Sequence, residues 1–213
     1  MNSLPKIGAD VPDAHRRTGR RPGDSGTRQA IVDAARRQFA ECGYEGATLR
    51  SIAHEAHVDP ALIHHFFESK QGVFTAAMAD LLKPAELIPG IVAAGPNGLG
   101  ERLMRMFVNL WERRAARDPL LAVIRSAVSH TEAAELLREF VTTEVLGRLG
   151  EVVDLPQREL RTTLVGSQIV GLIMIRYVVK VEPLASVDAE TLVTAVGPTI
   201  QHYLTDELEG IAA

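Results

Sequence analysis

Hydrophobic residues recur along most of the chain with the period of helices, and no stretch alternates as a half-buried strand would. From Thr27 onward, Ile31, Ala34, Ala35, Phe39 and Cys42 fall on one helical face, and Gly43 ends the run as a C-cap would. Thr48 is a suitable N-cap for a two-turn helix carrying Leu49, Ile52, Ala53 and Ala56. After a break at His57, Asp59 and Pro60 place an acceptor at an N-cap and proline at the first helical position. The helix they open carries Leu62, Ile63 and Phe66, and Ser69 can cap a longer one through Leu82. Pro84, Pro89, Gly90, Gly95, Pro96, Gly98 and Gly100 predict an irregular connection over 84–100. Beyond it helices are expected at roughly 100–117, 119–129, 132–150, 156–181 and 188–207. Breaks are expected at Asp118-Pro119, Asp154 to Pro156 and Pro183 to Asp188, and Gly197-Pro198 should kink or divide the last helix. The architecture is all-α, about nine helices.

Composition narrows the class. The chain has 213 residues, 46% hydrophobic and 23% charged, which suits a globular fold. A net charge of −4 argues against coating nucleic acid by bulk charge. Positive charge is instead local: Arg16, Arg17, Arg20, Arg21 and Arg28 face Asp24 alone between positions 15 and 28. Residues 1–26 show no hydrophobic period and read as a flexible basic arm, fitted to a phosphate backbone or a minor groove. The single cysteine, Cys42, cannot form an internal disulfide, as in an intracellular protein, and its place on the apolar stripe predicts a buried small hydrophobe. Met1 to Asp10 has no signal-peptide core, and the longest strongly apolar stretch, Ile169 to Ile175, falls short of the ~20 residues a membrane span needs. A cytoplasmic protein without a membrane partner is expected.

The two short helices 48–56 and 60–66, joined by a tight turn, make a helix-turn-helix. Ala53 is small where two helices must cross, and Ile52, Val58, Ile63 and Phe66 sit where a three-helix core needs apolar groups. Such a unit docks its second helix in the ~12 Å major groove while the first braces the backbone. An ordinary helical hairpin has the same spacing; the arginine arm just upstream favours DNA.

Residues 27–74 resemble the DNA-binding domain of the TetR family of bacterial transcriptional regulators. The resemblance runs without gaps through I-x-x-A-A-x-x-x-F-x-x-x-G-Y, A-T-L-R-S-I-A and V-D-P-A-L-I-H-H-F-F-E-S-K-Q-G-V-F. It implies that Thr48, Arg50 and Lys70 contact phosphates, and that Asp59, Pro60, Ala61 and Leu62 open the recognition helix, with His64 and His65 on or beside its outward face. Where this chain has His57 in the turn, relatives usually have glycine, and its recognition-helix histidines stand where tyrosine is common. The organisation that follows is a flexible basic arm over 1–26, the helix-turn-helix domain over 27–74, and a helical ligand-binding and dimerisation domain over 75–213.

Two other chemistries are weighed. His54 and His57 are three apart and His64-His65 lies close in sequence, but a zinc site lacks a convincing fourth ligand, so no metal and no cofactor are expected. No nucleophile elbow, phosphate loop, zinc-protease motif or cysteine pair occurs, and no catalytic residue is assigned. The C-terminal helices carry apolar groups on more than one face and must bury both. Leu160, Leu164, Gly171, Leu192, Val196 and Ile200 are the candidate dimer interface, since the family packs these two helices against their copies; Gly166 and Gly171 would allow close approach there or, equally, packing within one chain. Met104, Phe107, Trp111, Arg114, His130, Gln168, Met174 and Tyr177 mix adaptable apolar walls with polar groups and are the candidate effector pocket. The chain therefore reads as a homodimeric repressor of a pseudopalindromic double-stranded operator, released by a small, mainly apolar effector. The alternative is a helical dimeric small-molecule-binding module with no transcriptional role.

Overall fold

The computed structural model describes residues 23–151 and 155–208, and every regular element among them is helical. In chain order, α1 spans Gly23–Gly46, α2 Leu49–Glu55, α3 Pro60–Phe67, α4 Lys70–Leu82, α5 Pro84–Val92, α6 Leu99–Trp111 and α7 Arg114–Ser129. α8 begins as Thr131–Phe140 and runs through wider, π-type turns at Val141–Gly147 into Arg148–Gly150. α9 is Arg158–Leu172 with a similarly widened end at Ile173–Val179, and α10 is Ala189–Thr205. Arg16, Arg17, Arg20 and Arg21 lie outside the described residues.

Local chemistry sets the boundaries of the first four helices. Gly43, at φ 70° and ψ 178°, takes a conformation open to glycine and turns the chain out of the first helical run. Thr48 and Ser51 form a reciprocal capping box, each backbone N–H donating to the other's hydroxyl oxygen at 3.0 Å. The Asp59 carboxylate accepts from the Ala61 N–H at 2.8 Å, with Pro60 opening α3. Ser69 does the same for the Gly72 N–H at 3.1 Å.

Four expectations are corrected. Cys42 is exposed: the turn at Gly43 folds Tyr44 back onto Phe39, with ring centroids 5.8 Å apart, so Tyr44 covers the end of the apolar stripe. Residues 84–92 are helical, because Pro84 opens a helix and Ile88 gives it a buried anchor; Pro89 is accommodated inside it. The break between α6 and α7 falls at Glu112-Arg113, where Arg113 is extended at φ −82° and ψ 112°, and Pro119 lies inside α7. Gly197-Pro198 does not divide α10: Gly197 lies against α6 and packing holds the helix together.

α1 to α4 bury Ile31, Ala35, Ile52, Ile63 and Phe74, and this core runs on without interruption into that of α6 to α10. The tightest crossing is between α6 and α10. A Cβ on Gly100 would lie 2.2 Å from the Gly197 carbonyl oxygen, and Gln201 fastens the pair by accepting from the Gly100 N–H at 2.9 Å and donating to the Pro96 carbonyl at 2.9 Å. The first four helices meet the rest chiefly through α1 on α7 and α4 on α8.

Candidate nucleic-acid interface

The recognition helix turns its reading side outward. Ile63 and Phe67 are buried, whereas Pro60, Ala61, Leu62, His64 and His65 are exposed. Small and apolar groups at 60–62 can approach a thymine methyl. The His64 Nδ1 faces the Glu68 carbonyl at 3.2 Å; a carbonyl only accepts, so Nδ1 carries the hydrogen and Nε2 is left outward. The turn residue His57 holds φ 55°, the left-handed conformation that glycine would adopt freely.

Thr48, Arg50 and Arg28 are exposed, and Lys70 is half-buried. The Lys70 ammonium lies 4.3 Å from the centre of the Tyr44 ring and donates to the Glu45 carbonyl at 3.4 Å, which fixes its charge beside the turn before α2 and leaves donors for a phosphate. Arg28 rests over the Phe67 ring at 5.0 Å, tying the start of α1 to the end of α3. Three contacts missed in the sequence attach this unit to the rest of the chain. The Tyr44 hydroxyl donates to Glu132 at 3.1 Å while its N–H donates to the Ser126 hydroxyl oxygen at 3.2 Å, and Gln71 donates to Glu139 at 3.1 Å. Their partners lie more than sixty residues downstream, beyond the reach of any local pattern. Among the described residues no three His, Cys, Asp or Glu side chains converge as metal ligands.

The candidate pocket residues do not form one group. Met104, Phe107, Trp111 and Tyr177 are buried, and Trp111 stacks on Tyr177 at 5.2 Å and lies 5.8 Å from Phe107. Glu112 closes one edge, accepting from the Tyr177 hydroxyl at 3.2 Å and from Arg176 at 2.9 Å. Met174 and Gln168 are half-buried on α9. Arg114 is exposed at the start of α7, and His130 caps the other end of that helix, its ring facing the Ser126 carbonyl at 3.2 Å. They stand at opposite ends of a sixteen-residue helix, so both cannot line a site at Trp111.

The candidate dimer residues also separate. Leu192 and Ile200 are buried in the chain's own core, because α10 spends its apolar stripe on α6; Val196 is half-buried. Gly166 faces Leu146 of α8, whereas among the described residues nothing lies within 4 Å of a Cβ built on Gly171. α9 carries the outward apolar face, with Leu160 41% and Val170 56% exposed beside Gly171, Ile175 and Val178, and Leu164 half-buried. Arg158–Val179 is one continuous helix of 22 residues containing an 18-residue stretch of mean hydropathy 1.5, so the short apolar run 169–175 understates it. Its other face is committed to this chain: Arg161 donates to the carbonyls of Pro156, Tyr203 and Asp206, and Arg176 to that of Leu184.

Comparison with known proteins gives a consistent result. The profile described as "Bacterial regulatory proteins, tetR family" matches residues 31–77, and "Tetracyclin repressor-like, C-terminal domain" matches 97–204. A TetR-family regulator from Streptomyces coelicolor A3 superposes with a TM-score of 0.69 and 40% identity, covering 88% of this chain and 99% of that one. The HTH-type transcriptional regulator BetI of Brucella abortus is 30% identical over 112 residues, 52% of this chain; the match spans little more than half, 57%, of that curated relative. The multidrug binding protein EbrR, solved with malachite green, shares the fold at a TM-score of 0.59 and 16% identity, over 84% of this chain and 98% of that one.

Proposed function

The chain belongs to the TetR family of bacterial regulatory proteins, and from that premise we propose that it is a homodimeric, cytoplasmic DNA-binding transcriptional repressor released by a small-molecule effector. The observation that carries the DNA reading is the outward set Pro60, Ala61, Leu62, His64 and His65 on a helix anchored by Ile63 and Phe67. Thr48, Arg50, Lys70, Arg28 and the arginines of 16–21 supply the phosphate contacts around it. A pseudopalindrome requires the two recognition helices of a dimer to stand about 34 Å apart, the spacing of successive major grooves, and we assign the joining surface to the outward face of α9.

Release is a shift of population. The effector binds better to a conformer whose recognition helices are mis-spaced, and a 10- to 100-fold loss of affinity needs only about 1.4–2.8 kcal/mol of coupling. The apolar wall around Trp111, Phe107 and Tyr177, with Gln168 and Met174 beside it, is the proposed seat of the effector, and the capture of malachite green by a relative of the same fold supports a small-molecule role. Movement of α7 and α8 reaches the reading head through Tyr44 and Gln71.

The test is the salt dependence of binding to an operator recovered by selection from random duplex DNA. Lys70→Ala should weaken binding and lower the slope of log K against log[salt] by about 0.9, and Arg20→Ala/Arg21→Ala by about twice that. Unchanged slopes in both variants reject the phosphate assignments. Failure to recover any specific duplex favours the small-molecule-binding module without a transcriptional role.

A further inference from the structure

An open cleft of about 720 Å³ runs along the outer side of α2, where Gln38 of α1 meets Thr48, Arg50, Ser51, His54, Glu55 and His57. Its polar groups are one-sided. Arg50, His54 and His57 are exposed donors, and the His57 N–H, bonded to the His54 carbonyl at 3.2 Å, ties the two histidines together at the end of the helix. Glu55 is the one carboxylate on the lining, and it is already engaged by Arg37 and, at 2.7 Å, by the Gln38 amide. Burial pushes the Glu55 carboxyl up, but these donors outweigh it and hold it below the ordinary carboxylate range. Beyond the lining, α1 carries Arg37, paired with Glu55, and the exposed Glu41 and Glu45; Asp59 caps α3, which carries the exposed His64 and His65. Within its lining the cleft thus presents positive and donor groups, and its one carboxylate is already paired.

A neutral imidazole has one hydrogen to give, whereas its protonated form has two and a charge. Histidine makes that change within the physiological range, and a neighbouring phosphate favours the charged form. We infer that His54 and His57, with Arg50, form a cradle for a DNA backbone phosphate, engaged as imidazolium, so that operator affinity rises as pH falls. This rests on the DNA-binding reading and adds to it two contact residues and a dependence on acidity. At 57 the histidine holds φ 55°, a conformation glycine would adopt freely, and brings a ring where glycine would bring none.

The experiment measures affinity for the selected operator against KCl at pH 6 and pH 8, for the wild type and for His54→Gln/His57→Asn. Asparagine tolerates the left-handed conformation at 57, and comparison of thermal midpoints checks that the variant is folded; if it is not, His54→Gln alone should remove about half of the effect. In the wild type the slope of log K against log[KCl] should be steeper at pH 6 by up to about 1.8, about 0.9 for each added charge contact. The double variant should lose that difference. Equal steepening in wild type and variant overturns the inference and moves the protons to His64 and His65; no steepening in the wild type overturns it outright. If no specific duplex is recovered at either pH, the DNA-binding reading itself has failed, and this one falls with it.

Discussion

Tyr44 joins the two halves of the chain through three parts of one residue. Its N–H is held by Ser126, its hydroxyl by Glu132, and its ring by Phe39, Phe74 and the Lys70 ammonium. Burial first, then the Glu132 hydrogen bond and charge, push its pKa up to about 12. The folded state therefore keeps the phenol proton more tightly than the unfolded chain, where tyrosine ionises near pH ~10. That stabilisation is whole below pH ~10 and declines as pH climbs towards about 12. Tyr44→Phe keeps the ring contacts and should cost about 1.5–3 kcal/mol at pH 8, the order of one hydrogen bond to a charged acceptor. It should also make the fall in unfolding free energy above pH 10 shallower, which denaturant titrations at pH 8, 10 and 11 would measure. Gly43 as a stop was legible from its residue type. That the next residue would displace Cys42 from the core was not, since it depends on Phe74 and Ser126 from distant elements.

Among the elements, α6 and α10 are bound most closely, and glycine makes this possible. Gly100 lets the Gly197 carbonyl reach within 2.2 Å of where a Cβ would stand, and the obstacle is backbone, which cannot rotate aside. Gly100→Ala should therefore destabilise by about 2 kcal/mol or more, although alanine is the better helix former by about 1 kcal/mol. Thermal unfolding followed by circular dichroism would show the loss, and an unchanged or raised midpoint would mean that the helices can separate freely. The same packing explains the element-level surprises. Residue types around 84–100 spoke for a loop and Pro198 for a division, yet Ile88 has a core to enter and α10 has α6 to lie on. Where caps and breakers acted alone, at Thr48, Asp59 and Ser69, the boundaries followed from the sequence.

For the whole molecule the telling feature is an apolar helix face that none of the described residues covers. Val170, Leu160, Ile175 and Val178 stand out on α9 around the open Gly171, while the opposite side is pinned by Arg161 and Arg176. A second copy laid on this face removes it from water, at roughly 25 cal/mol for each Å² of apolar surface. On the proposed homodimer, Val170→Arg on this face should leave the protein monomeric at micromolar concentration with helical content retained. Sedimentation velocity measures the first and circular dichroism the second. Operator affinity should fall with it, because two recognition helices bind far better joined than separate. A Val170→Arg protein that stays dimeric would place the interface elsewhere.

What the amino-acid order determined by itself was local: helical periodicity, the N-caps at Thr48, Asp59 and Ser69, the stop at Gly43, and a reading helix recognisable from its residue types. These follow from backbone geometry and side-chain chemistry within a few residues, so a linear pattern contains them. Which apolar faces would be used up inside one chain was decided only in three dimensions. Leu192 and Ile200 read like Leu160 and Val170 along the sequence, but Gly100 and Gly197 bring α10 onto α6 and leave α9 as the outward face. Tyr44, Glu132 and Gln71 became a joint between reading head and helical body for the same reason: contacts between residues far apart in sequence are fixed by how helices pack.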